Sequence, residues 1–327
     1  MILPKFFKGI KVRKIAQVST QKDKNMFVME RIVNGWGDRA KIRGDLINIP
    51  FVKERDDFVE NLLPFHEHPL YKKLNYEQKR NCLSCGWIIY NEKTLMIESE
   101  VVNPACKSII DGNLVGLNTN EARLAACETM IDESYHMLIV EKANQVTKSA
   151  RGLNHIKYPQ FHLSKSLHRA YDDCNEAWMK PLLQIATATV TEVLISDYLS
   201  KLATNTDIQP MNRITVATHL HDELAHSKLF ATMLYQFYGA LPPKQKDFFS
   251  ASLAKAIGWF SSNELDLWKS VLEQLGVKKY KEIIEDCKLS DINTIGIDCS
   301  TLISVLKANE MLENNYTQDL FSNLGII

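Results

Sequence analysis

Asp132-Glu133-Ser134-Tyr135-His136 recurs as Asp222-Glu223-Leu224-Ala225-His226 in this 327-residue chain. Both copies read D-E-x-x-H, and both lie within runs whose apolar residues return every three or four positions, the spacing of a helix that buries one face. In a helix, residues i and i+3 project from the same side, so each Glu and His can grip one ion together. Two such pairs in mid-helix demand two long helices side by side, with further helices around them to shield the charge. No other feature narrows the fold as much.

The rest of the chain agrees with this demand, because alternating runs of β type are hard to find. Long helical patterns cover about 76–101, 118–146, 176–202 and 211–238. Asn103-Pro104 is expected to stop the first and start a short successor. Asn118-Thr119-Asn120-Glu121 starts the second, and Pro181 marks a break in the third or its true start. Residues 148–163 read as a loop, since Arg151-Gly152 and Tyr158-Pro159 interrupt periodicity, and a short helix follows from Ser164. One long and two shorter connections join the four long helices, the length pattern of a four-helix bundle with a crossover. Shorter helices are predicted at about 244–262, 264–275, 278–288 and 301–313, and no Ser- or Gly-rich linker precedes them. The expected fold is all-α: one ferritin-like domain over 1–327, with a bundle at about 76–238 and C-terminal helices at about 244–327 packed on it.

Composition excludes several functions. The 39 Lys and Arg are balanced by 39 Asp and Glu, without the basic surplus that replaces phosphate counterions in a nucleic-acid binder. No stretch approaches the ~20 apolar residues of a membrane span, and Met1-Ile2-Leu3-Pro4-Lys5 is too broken for a signal sequence. The seven cysteines are scattered and odd in number, which predicts reduced thiols and a cytoplasmic protein. Cys82 and Cys85 form one CxxC inside a helical pattern, with no second pair to complete a zinc site.

A bundle that holds metal on two D-E-x-x-H helices takes a carboxylate from each of the other two. Glu192 lies in the uncharged run 186–195, where a buried carboxylate without a partner is costly. On the first helix Glu92, Glu98 and Glu100 compete; Glu98 shares its stripe with Leu95, Thr94 and Tyr90, whereas Glu100 points about 200° away. His219 precedes Glu223 by four residues and His226 by seven, about 40° and about 20° around the helix, and so adds a third imidazole. The predicted ligands are Glu98, Glu133, His136, Glu192, His219, Glu223 and His226, an oxygen and nitrogen set suited to Fe or Mn. Asp132 and Asp222 each stand four residues before a ligand His and can fix its tautomer by accepting an imidazole N–H. Small residues on the same stripes, Ala126, Thr129, Ala188, Thr189, Ser196 and Thr215, leave room for O2 and a substrate. His66-Glu67-His68 between Pro64 and Pro69 is read as a packing loop, and His155, His162, His168 and His221 fall at no ligand spacing. There is no Gly-rich phosphate loop and no G-x-S-x-G elbow.

These residues resemble the AurF-like family of non-haem di-iron N-oxygenases, whose members oxidise p-aminobenzoate or related arylamines. The specific segments are 64–70, Tyr90-Asn91-Glu92-Lys93, 98–105, 131–136, Ile208-Gln209-Pro210-Met211 and 219–226. The resemblance implies a homodimer and two iron ions cycling between Fe2+ and Fe3+. It also implies O2 as co-substrate through a peroxo-bridged intermediate, and oxygen transfer to the nitrogen of a small amine in natural-product biosynthesis. An external reductase must supply electrons, since no flavin or Fe–S motif is visible. Tyr90, Lys93 and Thr189 are expected at the substrate. Lys93 stands where the p-aminobenzoate enzyme is expected to carry Arg, and it cannot reproduce a planar bidentate carboxylate clamp. Two other readings are a di-iron C–H hydroxylase or desaturase, and a metal-storage bundle without turnover.

Overall fold

Asn75 starts the first long helix, α1 (Tyr76–Ile97), by accepting the Gln78 backbone N–H on its side chain, which satisfies one of the amides left over at a helix start. In the computed structural model, which describes residues 27–32, 35, 50–291 and 297–327, α1 continues through a π-helical segment, Glu98–Val102, into α2 (Asn103–Ile110). The stop expected at Asn103-Pro104 is thus a widened turn. Pro104 has no N–H for the Glu100 carbonyl four residues back, and Gln184 supplies the missing donor: its Nε2 donates to Glu100 O at 3.0 Å and to Val101 O at 2.6 Å.

Thr119 caps α3 (Asn120–Arg151), its Oγ1 accepting the Ala122 N–H at 3.1 Å. The helix runs through 148–151, predicted as loop, because the residue that ends it is Gly152, in the left-handed region at φ 69°. Lys148 and Arg151 in the last turn suit the negative end of the helix. Following α4 (His162–Asp172), α5 (Met179–Ala203) begins before Pro181. The proline lies in the first turn, where its missing N–H breaks no helical bond. The fourth long helix is α6 (Pro210–Ala240).

Helix α1 packs along α3 and α5 along α6; the pairs meet where α3 lies on α6 and the π segment on α5. Among the described residues the only β feature is an isolated bridge between Asp56 and Ile208. The fold is all-α and built on a ferritin-like four-helix bundle. A strap at 52–57 crosses the ends of these helices. Val52 exchanges two hydrogen bonds with the Gln209 side chain, and buried Asp57 accepts from Arg151 Nε at 2.7 Å and Ser84 Oγ at 2.6 Å.

The C-terminal helices are α7 (Pro243–Phe260), α8 (Leu265–Gln274), α9 (Tyr280–Asp291), α10 (Ser300–Ala308) and α11 (Asn315–Asn323). The pattern predicted at 301–313 ends at Ala308. The unpredicted α11 starts where the Asn314 side chain accepts the N–H groups of Tyr316 and Thr317. Helix α7 lies along α5, with α11 on its far end, and one apolar core joins Trp87 and Ile88 of the bundle to Leu253, Leu302 and Phe321. No helix among the described residues is long and apolar enough to cross a membrane.

Gln184→Ala removes the side-chain donor shared by the Glu100 and Val101 carbonyls. We expect a loss of about 1–3 kcal/mol, read as a lower urea midpoint with unchanged m-value, larger than that of Gln145→Ala on the exposed face of α3.

Candidate metal centre

The four long helices bring all seven predicted ligand residues together, each nearly or wholly buried. Glu98, His136 and His219 form one group and Glu133, Glu192, Glu223 and His226 another, with the donor atoms in each within 4.8 Å of one another. Two carboxylates face both groups. Glu133 lies 3.0 Å from His136 Nδ1 and 3.0 Å from His226 Nδ1, and Glu223 lies 3.5 Å and 3.4 Å from the same atoms. His219 presents Nε2 instead, 3.0 Å from Glu223 and 3.3 Å from Glu98.

Of the three glutamates that compete on the first helix, Glu98 is the one that faces inward. Glu98 opens the π segment and is 3% exposed beside His136 and His219. Glu100, in the same widened turn, faces α4 and accepts from Ser164 Oγ at 2.6 Å. Glu92 pairs with Lys148 at 2.7 Å on the outside of α1 and α3.

The two aspartates act across the helix pair. Each was expected to serve the histidine of its own motif; instead Asp222 on α6 meets His136 Nε2 on α3 at 3.3 Å, and Asp132 on α3 meets His226 Nε2 on α6 at 3.4 Å. Residues i and i+4 do share a helix face, but the imidazole turns its Nδ1 to the carboxylates, so its Nε2 points to the neighbouring helix. An Nε2–H donated to an aspartate leaves Nδ1 as a lone pair toward an ion.

Electrostatics set these groups against one another. Burial, then the charge of Glu133, pushes Glu98 well above the usual carboxylate range; burial followed by Glu223 does the same to Glu192. For Glu223 and Glu133 burial also pulls upward, but the His226 charge prevails and holds both below their ordinary values. Burial alone would lower His136 and His226. Hydrogen bonds to Asp222 and Glu133 raise the first, and the charges of Glu133 and Glu223 raise the second. His219 is lowered, by burial and then by His136. Both oxygens of Glu98 and Oε2 of Glu192 and Glu223 accept no hydrogen bond among the described residues. Buried carboxylate oxygens normally have partners, and cations at this place would provide them. The donors are hard oxygens and imidazole nitrogens with no thiolate among them, a set that fits iron or manganese.

A small void beside Glu98, Glu192, His219 and Glu223 shares the walls Thr94, Ile97, Ile195 and Phe260 with a cavity of about 450 Å³. That volume is in the range of small-molecule sites. Tyr90 and Lys93 line the cavity, with Tyr90 stacked between Trp87 and Tyr198. Thr189, expected with them, lies elsewhere: it borders a separate small void with Leu117 and Phe230 and donates its hydroxyl to Ile185 O at 2.8 Å. Thr189 lies only about 60° around α5 from Glu192, but one turn along the helix, where it meets Phe230 of α6 and falls outside the cavity walls. The small residues beside the ligands are Thr94 and Thr191.

Lys93 is held by Glu264 at 3.4 Å and by the carbonyls of Phe260 and Ser262 at 3.0 Å and 3.5 Å. Burial lowers the pKa of this ammonium, against the pull of Glu264. Sequence reasoning missed Glu264, since nothing distinguishes it from any other acid near a helix start. It has a left-handed backbone, φ 52°, immediately before α8, and its Oε2 accepts the His162 N–H at 2.9 Å. The His66-Glu67-His68 loop contributes no ligand: His66 Nδ1 bonds Leu63 O, and His68 caps a single turn at Pro69–Lys72 and reaches Asp286 of α9. Cys82 and Cys85 are free and buried, and burial raises both thiols, Cys85 to about 12.

The family described as p-aminobenzoate N-oxygenase AurF matches residues 22–308, a span that contains the four helices carrying the buried carboxylate and imidazole cluster and the segment closing the cavity. A 4-aminobenzoate N-oxygenase of Streptomyces thioluteus is 25% identical over 266 residues, covering 79% of this chain and 78% of that protein. The buried double cluster on four helices is therefore the setting of an oxidoreductase, and the chain belongs to the AurF family of N-oxygenases.

Proposed function

We propose that the protein holds two iron ions and uses O2 to oxidise the nitrogen of a small amine toward a hydroxylamine, nitroso or nitro product. The observation that carries this reading is the division of seven buried donors into two adjacent groups, each with its own imidazole. Glu98, His136 and His219 would hold one ion and Glu192 and His226 the other, with Glu133 and Glu223 serving both. Bound iron supplies the redox chemistry, accepting electrons from a separate reductase and activating O2.

The chain's own residues do the rest. Asp222 and Asp132 keep a proton on Nε2 of His136 and His226, so that Nδ1 stays basic toward the metal. Thr94, Ile97, Ile195 and Phe260 narrow the passage to the ions and keep bulk water from them. Tyr90, Tyr198, Phe260 and Trp268 line the wall with aromatic faces, which suits an arylamine such as the substrate named for the Streptomyces relative. Membership in an N-oxygenase family favours this reading over C–H oxidation or storage.

In this reading the bundle and C-terminal helices act as one domain, supported by their common core. The enzyme works as a cytoplasmic homodimer, consistent with its seven free thiols. Leu124, Ile131 and Leu138, exposed at heptad spacing on α3, supply an apolar stripe for pairing.

Anaerobic loading with Fe(II) should give two irons per chain, and exposure to O2 with a reductant and an arylamine should give N-oxygenated product. Binding no iron, or binding it unchanged after Glu192→Ala and His219→Ala, would sink the proposal. Asp222→Asn keeps the shape but removes the charge that orients His136. We expect metal affinity to fall about 10–100-fold in chelator competition, while the far-UV spectrum stays the same.

Acidity provides a further check. Glu98, Glu192, His136 and His226 have raised folded-state pKa values and outnumber His219, the one group of the cluster lowered from the neutral range, so around neutral pH the metal-free fold binds more protons than the unfolded chain and loses stability as pH rises. Metal needs the deprotonated ligands and binds better over the same range. The gap in Tm between metal-loaded and metal-free protein should therefore widen from about pH 6 to about pH 8; a constant gap contradicts this account.

A further inference from the structure

We propose that the cavity selects an arylamine whose ring substituent is electrically neutral and rejects arenecarboxylates. This rests on the arylamine N-oxygenase reading and specifies its substrate class. Lys93 Nζ donates to Phe260 O and Ser262 O, and its charge is offset by Glu264 Oε1 at 3.4 Å, so a carboxylate arriving here meets a cation that is already paired. A substrate anion here would also stand beside Glu264, which is 7% exposed, and like charges in a poorly hydrated wall repel strongly.

The other lysine on the wall also has an acid in its vicinity. Lys201 is exposed and lies near Asp298, whose acidity is increased first by hydrogen bonds from Ser300 and then by the Lys201 charge. The wall thus carries two cations and two anions, a balance that makes it receptive to a polar but uncharged ring substituent. Glu264 is fixed for this task by the α4 backbone through Oε2 and by Lys93 through Oε1. Its left-handed backbone is strained for a residue with a side chain, and such strain concentrates at ligand sites.

The test compares 4-aminobenzamide with 4-aminobenzoate, which have nearly the same shape and differ in charge, by calorimetry and by turnover on the iron-loaded full-length protein. The amide should bind at least about tenfold more tightly, and Glu264→Gln, which removes the anion and releases Lys93, should shift the ratio toward the carboxylate by about tenfold or more. Tighter or equal binding of 4-aminobenzoate by the unaltered protein, or binding of neither compound, overturns the proposal. An unchanged ratio in a folded Glu264→Gln variant overturns the role of the ion pair. Discrimination in binding without any N-oxygenated product would instead refute the N-oxygenase reading and leave the selectivity of the cavity standing.

Discussion

Four carboxylates confined together in the dry middle of a helical bundle repel one another, and much of this structure answers that repulsion. Burial and mutual charge push Glu98 and Glu192 toward their protonated forms, while three imidazoles draw Glu133 and Glu223 the other way. Without cations the centre depends on protons to moderate its charge. With cations the same oxygens become ligands. Helices suit this arrangement because each backbone satisfies its own hydrogen bonds, leaving side chains as the only polar groups that need partners inside.

The requirement spreads outward through particular contacts. The helix widens at 98–102 just after Glu98 turns to the centre, and Gln184, from α5, donates to the carbonyl of Glu100 that Pro104 leaves unserved and to that of Val101 beside it. A local irregularity in one pair of helices is thus stabilised by a residue from the other pair. The cavity follows a similar pattern: Lys93 on α1 is neutralised by Glu264 just before α8, so the C-terminal helices decide the charge of a surface that the bundle begins. They are part of the site and do more than cover it.

What was legible in the sequence depended on whether the cause was local. Helix periodicity, the D-E-x-x-H spacing and the angular position of His219 are properties of one helix, and they locate the long helices and the seven residues that converge. Gly152 is also local, but the polar residues before it obscured how far α3 extends. The π segment escaped notice because its stabilising donor, Gln184, lies more than eighty positions from Val101. Thr189 shares a stripe of α5 with Glu192 yet lines a different void, because such a stripe does not say at which level of the bundle a cavity opens. Glu264 gave no sign at all, since its meaning comes from Lys93, His162 and a backbone conformation visible only in three dimensions.

The crossed pairs Asp132–His226 and Asp222–His136 tie the register of α3 to that of α6 at two points. If either helix slipped by a turn, both imidazoles would lose the acceptor that fixes their tautomer, and neither would turn a basic nitrogen to the centre. Each aspartate thus makes the orientation of an imidazole on one helix depend on the placement of the other: the two helices proofread one another's alignment, and the cluster of donors exists only where both are seated in register.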